Sequence, residues 1–164
     1  MGRRSKCQKP KKCRDRRHDR RHDRCHEKKC LHCIKWYKST LRGDYEIPPV
    51  TTEGYGTALY VLTRDRKFLN YTSRVFNLSS PIISGNIQVG TKYENGPIVY
   101  TFEYNANGIA NGALELDDTL LKLLKCEKLY LNVFTEDNPT GELRGSILQI
   151  APIDVICTPA CGKK

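Results

Sequence analysis

Five of the eight cysteines and all four histidines fall within the first 33 residues. Cys25, His26, Cys30, His32 and Cys33 place five soft or borderline metal ligands in nine positions. Cys30-Leu31-His32-Cys33 has the CxxC spacing of half a zinc knuckle, and a tetrahedral zinc site could draw its four ligands from this stretch. No second CxxC stands at ribbon spacing, and the gap from Cys7 to Cys13 is too wide to provide one. The competing chemistry is thiol oxidation. Cys7, Cys13, Cys25, Cys30 and Cys33 precede the globular part and Cys157 and Cys161 follow it, which suits bonds between molecules better than staples within a core. The balance favours cross-linking. Zinc in the tail is the one candidate cofactor.

The same segment carries most of the charge. Of the formal net charge of +10, residues 1–42 contribute +13 and residues 43–164 contribute −3. A four-residue repeat, Asp15-Arg16-Arg17-His18, Asp19-Arg20-Arg21-His22, Asp23-Arg24-Cys25-His26, supplies its centre. Arg16, Arg17, Arg20, Arg21 and Arg24 are the candidate contacts to a polyanion, because clustered guanidinium groups displace counterions from phosphate chains. Interleaved aromatic residues for base stacking are missing, and every repeat contains an Asp. Adhesion to acidic surfaces, including the acidic domain of another copy, is therefore the plainer reading. From Arg3 to Lys29 there is no Leu, Ile, Val, Phe, Trp or Tyr. Such a stretch cannot offset an ordering cost of roughly 1–2 kcal/mol per residue, so residues 1–38 are expected to form a largely disordered tail.

Something must carry these ends, and the pattern changes at Leu41. Short β-like runs follow, punctuated by Pro48-Pro49, Asn95-Gly96-Pro97, Asn107-Gly108, Asn111-Gly112 and Asn138-Pro139-Thr140-Gly141. Strands are expected over 56–63, 68–78, 83–89, 98–104, 129–135 and 142–150. One segment departs from alternation. Asp117 to Lys125 pairs an acidic start with Leu at i, i+3 and i+4, which predicts a short capped helix. The fold class is all-β, an antiparallel Greek-key sandwich or barrel with one helix. The domain is expected over 39–152, with a Cys-containing C-terminal tail over 153–164.

Leu129-Tyr130-Leu131-Asn132-Val133-Phe134-Thr135, followed by Asn138-Pro139-Thr140-Gly141-Glu142-Leu143-Arg144-Gly145-Ser146-Ile147, resembles the closing signature of the CHRD domain family, named for chordin. Leu41-Arg42-Gly43, Pro48-Pro49-Val50-Thr51-Thr52, Leu69-Asn70-Tyr71 and Asn95-Gly96-Pro97-Ile98-Val99 match in order. The resemblance spans about residues 40–150. It implies a β-domain shaped like the copper/zinc superoxide dismutase barrel, with binding or structural roles and no particular reaction. Many members of that family carry His-x-His in a middle strand and a further His in the closing motif. Here those positions are Asn86, Gln88 and Phe134, so a copper/zinc redox centre is not expected.

No catalytic residue emerges. No histidine follows His32, so a Ser-His-Asp or Cys-His arrangement has no imidazole within the domain. Glu136, Asp137, Asp117 and Asp118 fit turn and cap roles. Glu142 and Arg144 fit an ion pair or backbone contacts. Cys126 fits a partly exposed structural thiol. No 18-residue apolar run offers a membrane span. With no apolar stretch behind Met-Gly-Arg-Arg-Ser-Lys, the expectation is synthesis in the cytoplasm without a secretory signal. In style the chain resembles spore-coat or exosporium proteins, deposited on a spore surface and later oxidised. The leading expectation is a non-enzymatic assembly protein that associates with itself or other coat-type proteins. The alternative is a nucleic-acid- or polyanion-binding module with a zinc-organised tail.

Overall fold

A computed structural model describes residues 34–150, all of which lie in the second of the two units into which the chain divides, Cys33–Lys164. Nine strands form one antiparallel sheet: β1 (Lys35–Arg42), β2 (Tyr55–Leu62), β3 (Phe68–Phe76), β4 (Ile82–Val89), β5 (Ile98–Phe102), β6 (Ile109–Glu115), β7 (Leu129–Thr135), β8 (Leu143–Ser146) and β9 (Leu148–Gln149). Their spatial order is β5-β4-β7-β8-β1-β2-β3-β6, and β9 continues the pairing with β1 where β8 stops. The sheet curls into a nearly closed barrel. Its end strands β5 and β6 are joined by a turn in which the Asn105 N–H donates to Ile109 O at 2.9 Å. After the seam the chain returns to pair β6 with β3, the return step of a Greek key.

Alternation explains the core. Tyr37 and Leu41 of β1, Ala58, Tyr60 and Leu62 of β2, and Leu69, Tyr71 and Val75 of β3 point inward and are buried. Leu129, Leu131 and Val133 of β7 meet them from the other wall with Ile87 and Leu143. The seam is filled by rings: Tyr71 lies 4.7 Å from Phe102 and 6.0 Å from Tyr100, and Phe102 lies 5.4 Å from Tyr104. The Tyr100 hydroxyl reaches across to Ala113 O at 3.4 Å. Two inward serines are matched with tyrosines, Ser39 with the Tyr60 hydroxyl at 3.3 Å and Ser73 with the Tyr104 hydroxyl at 2.7 Å, while the buried Tyr37 hydroxyl has no partner. The expected helix is present as α1 (Asp118–Lys125). Asp117 is its N-cap, accepting from the Leu120 N–H at 2.7 Å, and Leu124 is driven into the core.

Two strands, β1 and β6, were not expected from the sequence. β1 starts at Lys35, inside the segment assigned to the basic tail, because its inward positions are Tyr37, Ser39 and Leu41. Ser39 broke the apolar alternation, although its hydroxyl is satisfied by Tyr60. Asn111-Gly112, read as a turn, sits within β6 opposite Thr72 and Tyr71. A side chain at Gly112 would meet the Tyr71 hydroxyl at 2.5 Å, so the glycine is there for the ring. Among the described residues no helix is long and apolar enough to cross a membrane.

Candidate functional site

Midway along β4, β7 and β8 the outward residues are covered and not solvated. Pairing registers them in two rows, Asn86–Asn132–Arg144 and Gln88–Tyr130–Ser146. Asn86, Gln88, Asn132, Tyr130 and Arg144 are all at least nine-tenths buried. Two segments cover them: 43–54, which opens with a 3-10 turn (Gly43–Tyr45), and 90–97. The expected strand 142–150 is divided into β8 and β9.

Arg144 holds the second cover in place. Its guanidinium lies 3.6 Å from the centre of the Tyr130 ring. It donates to Asn95 Oδ1 at 2.5 Å, Thr91 O at 2.9 Å and Glu94 O at 2.6 Å. Asn95 in turn donates from its amide to Ile47 O at 3.0 Å, which ties the two covers together. The Tyr130 hydroxyl donates to Gln88 Oε1 and accepts from the Gly96 N–H. An arginine is suited to this task, since its planar fork can serve several carbonyls while its face stacks on an aromatic ring.

Glu142 performs the corresponding task for the neighbouring loops. It is fully buried and accepts from the Thr52 hydroxyl at 2.6 Å, the Ser79 N–H and hydroxyl at 2.9 Å each, and the Thr135 hydroxyl at 2.7 Å. Burial alone would raise its pKa. These hydrogen bonds outweigh that and hold the carboxyl below its ordinary value. Of the two roles the sequence suggested for Glu142 and Arg144, backbone contacts are present and an ion pair between them is not. Asp137 is a turn residue whose N–H donates to the Ser80 hydroxyl.

A second carboxylate, Glu46, was not singled out by the sequence; its place before Ile47-Pro48 is the sole local signal. It is 5% exposed, and its Oε1 has no hydrogen-bond partner. Burial pushes its carboxyl up to about 7, against the nearby Arg144 charge and the Ile47 backbone N–H, both of which favour the ionised form. Gly141 makes room for it. With φ at +124°, a side chain there would meet Asn132 Oδ1 at 2.5 Å and Glu46 Oε1 at 2.6 Å.

The sequence-derived site residues distribute unevenly. Asn86, Gln88 and Phe134 do share one outward face on adjacent strands, with Asn86 opposite Asn132 and Phe134 opposite Ser84. They offer amides and a ring, and Gln88 Oε1 is already engaged by Tyr130. Among the described residues no group of three or more His, Cys, Asp or Glu side chains gathers around a point. Cys126 is half-buried and disulfide-bonded, which replaces the thiol expected there. Cys7, Cys13, Cys25, Cys30, Cys33, Cys157, Cys161, His26, His32 and the five arginines from Arg16 to Arg24 lie outside the described residues.

The covered rows and their clamps are built from the segment that resembled a known signature. A family model described as the CHRD domain matches residues 37–147. The chain belongs to the CHRD domain family. No curated protein and no solved structure matches the chain. Within this CHRD domain, Glu142 and Arg144 of the closing motif fasten loops, Gly141 leaves room for Glu46, and the Tyr130 and Asn132 side chains of β7 form the surface beneath them.

Proposed function

We propose that the chain is a non-enzymatic structural protein, whose CHRD domain is docked by its basic tail and then cross-linked through the cysteines of both ends. The setting that suits it is a spore-coat or exosporium-type layer. One observation carries this reading: the points where the two ends leave the domain are adjacent. The Ile150 N–H donates to Trp36 O at 3.0 Å, so the chain exits beside the strand on which it enters. Glu127 Oε1 accepts from the Gln149 N–H at 3.3 Å, which brings the α1–β7 turn and Cys126 to the same place. Both attachment points and Cys126 therefore lie at one end of the domain. Its buried charged groups Glu142 and Arg144 are committed to holding loops. Such a body suits attachment by one handle, with the remaining surface presented outward.

The test is electrophoresis of the protein from its native source, with and without reductant. High-mass ladders that collapse to the 18.8 kDa chain on reduction are the expected result. Deleting residues 1–33 should leave a folded domain that no longer enters the ladder. A soluble monomer holding one zinc per chain would overturn the proposal. It would favour the polyanion-binding reading, for which salt-sensitive DNA binding lost on the same deletion is the decisive sign.

A further inference from the structure

Between the cover 43–46 and the strands β1, β8 and β9 the outer face opens into a cleft of about 600 Å³. Three cations line it: Lys38, Lys92 and Arg144. Arg144 is 1% exposed, yet no carboxylate among the described residues comes within 4.0 Å of it, and its Nε has no partner. A buried guanidinium satisfied by carbonyls keeps its full charge, and that field reaches the cleft through a low-dielectric wall.

The acids lining the cleft do not cancel it. Asp44 is bound to Arg42 at 2.8 Å, so its charge is spent on a residue outside the lining. Glu46 is largely withdrawn from solvent, and its raised pKa leaves much of it neutral near pH 7. Thr40 and Ser146 supply hydroxyl groups to the lining, and Leu148 and Ile150 supply its aliphatic side chains. Lys38 and Lys92 are exposed, and Lys92, whose Nζ lies 4.7 Å from the centre of the exposed Tyr93 ring, exchanges that contact for a ligand.

We propose that this cleft is a binding site for a small organic oxyanion, a carboxylate or phosphate head carried on an apolar body. The head group lies between Lys38 and Lys92 over the Thr40 and Ser146 hydroxyls, with Arg144 as the fixed charge behind it. The body rests on Leu148 and Ile150. The site belongs to the domain and owes nothing to the cross-linking reading, which can fail without affecting it.

Residue-resolved NMR titration of the full chain at 150 mM salt tests the site, because it separates the cleft from anion binding by the basic tail. Phenylacetate and phenyl phosphate are the probes, with phenylacetamide and inorganic phosphate as controls. Expected are saturable shifts at the Thr40 and Ser146 amides with one or both organic anions, and the tighter of the two identifies the head group. The double variant Lys38→Gln/Lys92→Gln should keep the wild-type melting temperature and bind at least tenfold more weakly. Absence of saturation at those amides, or unchanged affinity in the double variant, would overturn the proposal. Equal binding of phenylacetamide would do the same by removing the charge from the interaction. Equal binding of inorganic phosphate would remove the apolar body from it.

Discussion

The two outer faces of the barrel are built on different principles. On β2 and β3 the outward residues meet solvent: Tyr55, Thr57 and Leu59 alternate with buried Gly56, Ala58 and Tyr60, and β3 repeats the pattern along all nine positions. On β4 and β7 that alternation vanishes, since Gly85–Gln88 and Leu129–Val133 are buried on both faces. The bare face is held chiefly by its inward side chains, with a Tyr55–Phe76 ring stack and a Thr57 hydroxyl bonded to Ser39 O on its outside. The covered face adds a second, polar layer in which single residues restrain whole loops. A polar layer concentrates stability in few positions, because each buried donor left without an acceptor costs about 1–3 kcal/mol.

That contrast can be broken most severely at Glu142. Replacing it with Ala strands the Thr52, Ser79 and Thr135 donors and should cost about 4 kcal/mol in urea unfolding. Its lowered pKa has a further signature. Stability from Glu142 is complete above its ordinary value of 4.5 and is lost as pH falls through the lower folded value, so Glu142→Gln should blunt acid unfolding. Glu46 works in the opposite sense. Its contribution is complete below 4.5 and is lost as pH rises to about 7, a change of about 3 kcal/mol at 1.36 kcal/mol per unit. Wild-type protein should weaken between pH 4.5 and 8, whereas Glu46→Gln should stay level; a parallel decline in both would remove Glu46 as the cause.

Arg144→Lys comes next, at about 2 kcal/mol, since an ammonium cannot span Asn95, Thr91 and Glu94 while stacking on Tyr130. Hydrogen exchange should quicken across 91–97 and stay slow at Leu131 and Val133. The smallest effect belongs to the bare face. Leu59→Thr, at a position 43% exposed, should shift stability by less than about 0.5 kcal/mol. A larger loss there would show that this face carries more than its exposure implies.

The same contrast sets what a reader of the sequence can see. Bare strands announce themselves by alternation, and β2 and β3 fall within two residues of where the pattern puts them. The capped helix is equally plain, because Asp117 and the Leu stripe act over one or two turns. β1 was hidden by Ser39 and its basic surroundings, and β6 by an Asn-Gly pair that elsewhere makes a turn. The closing motif revealed the family and two of the clamps, Glu142 and Arg144. It did not reveal what they hold. Asn95 and Thr91 lie about fifty residues from Arg144, Thr52 lies ninety from Glu142, and no local pattern links such partners. Glu46 was invisible for the same reason, since its environment is made by Arg144 and Gly141 from the far end of the domain.

The seam between β5 and β6 has a bearing on how copies of this domain can meet. An unpaired strand edge is a template onto which any other chain can add a strand, and proteins that gather at high local concentration are the most exposed to that accident. Here the two end strands are turned toward each other and stitched by Tyr100 to Ala113, with the rings of Tyr71, Phe102 and Tyr104 packed behind. Each edge shields the other without completing the ladder. Among the described residues, a second chain meeting this seam would find side chains in place of an open ladder edge.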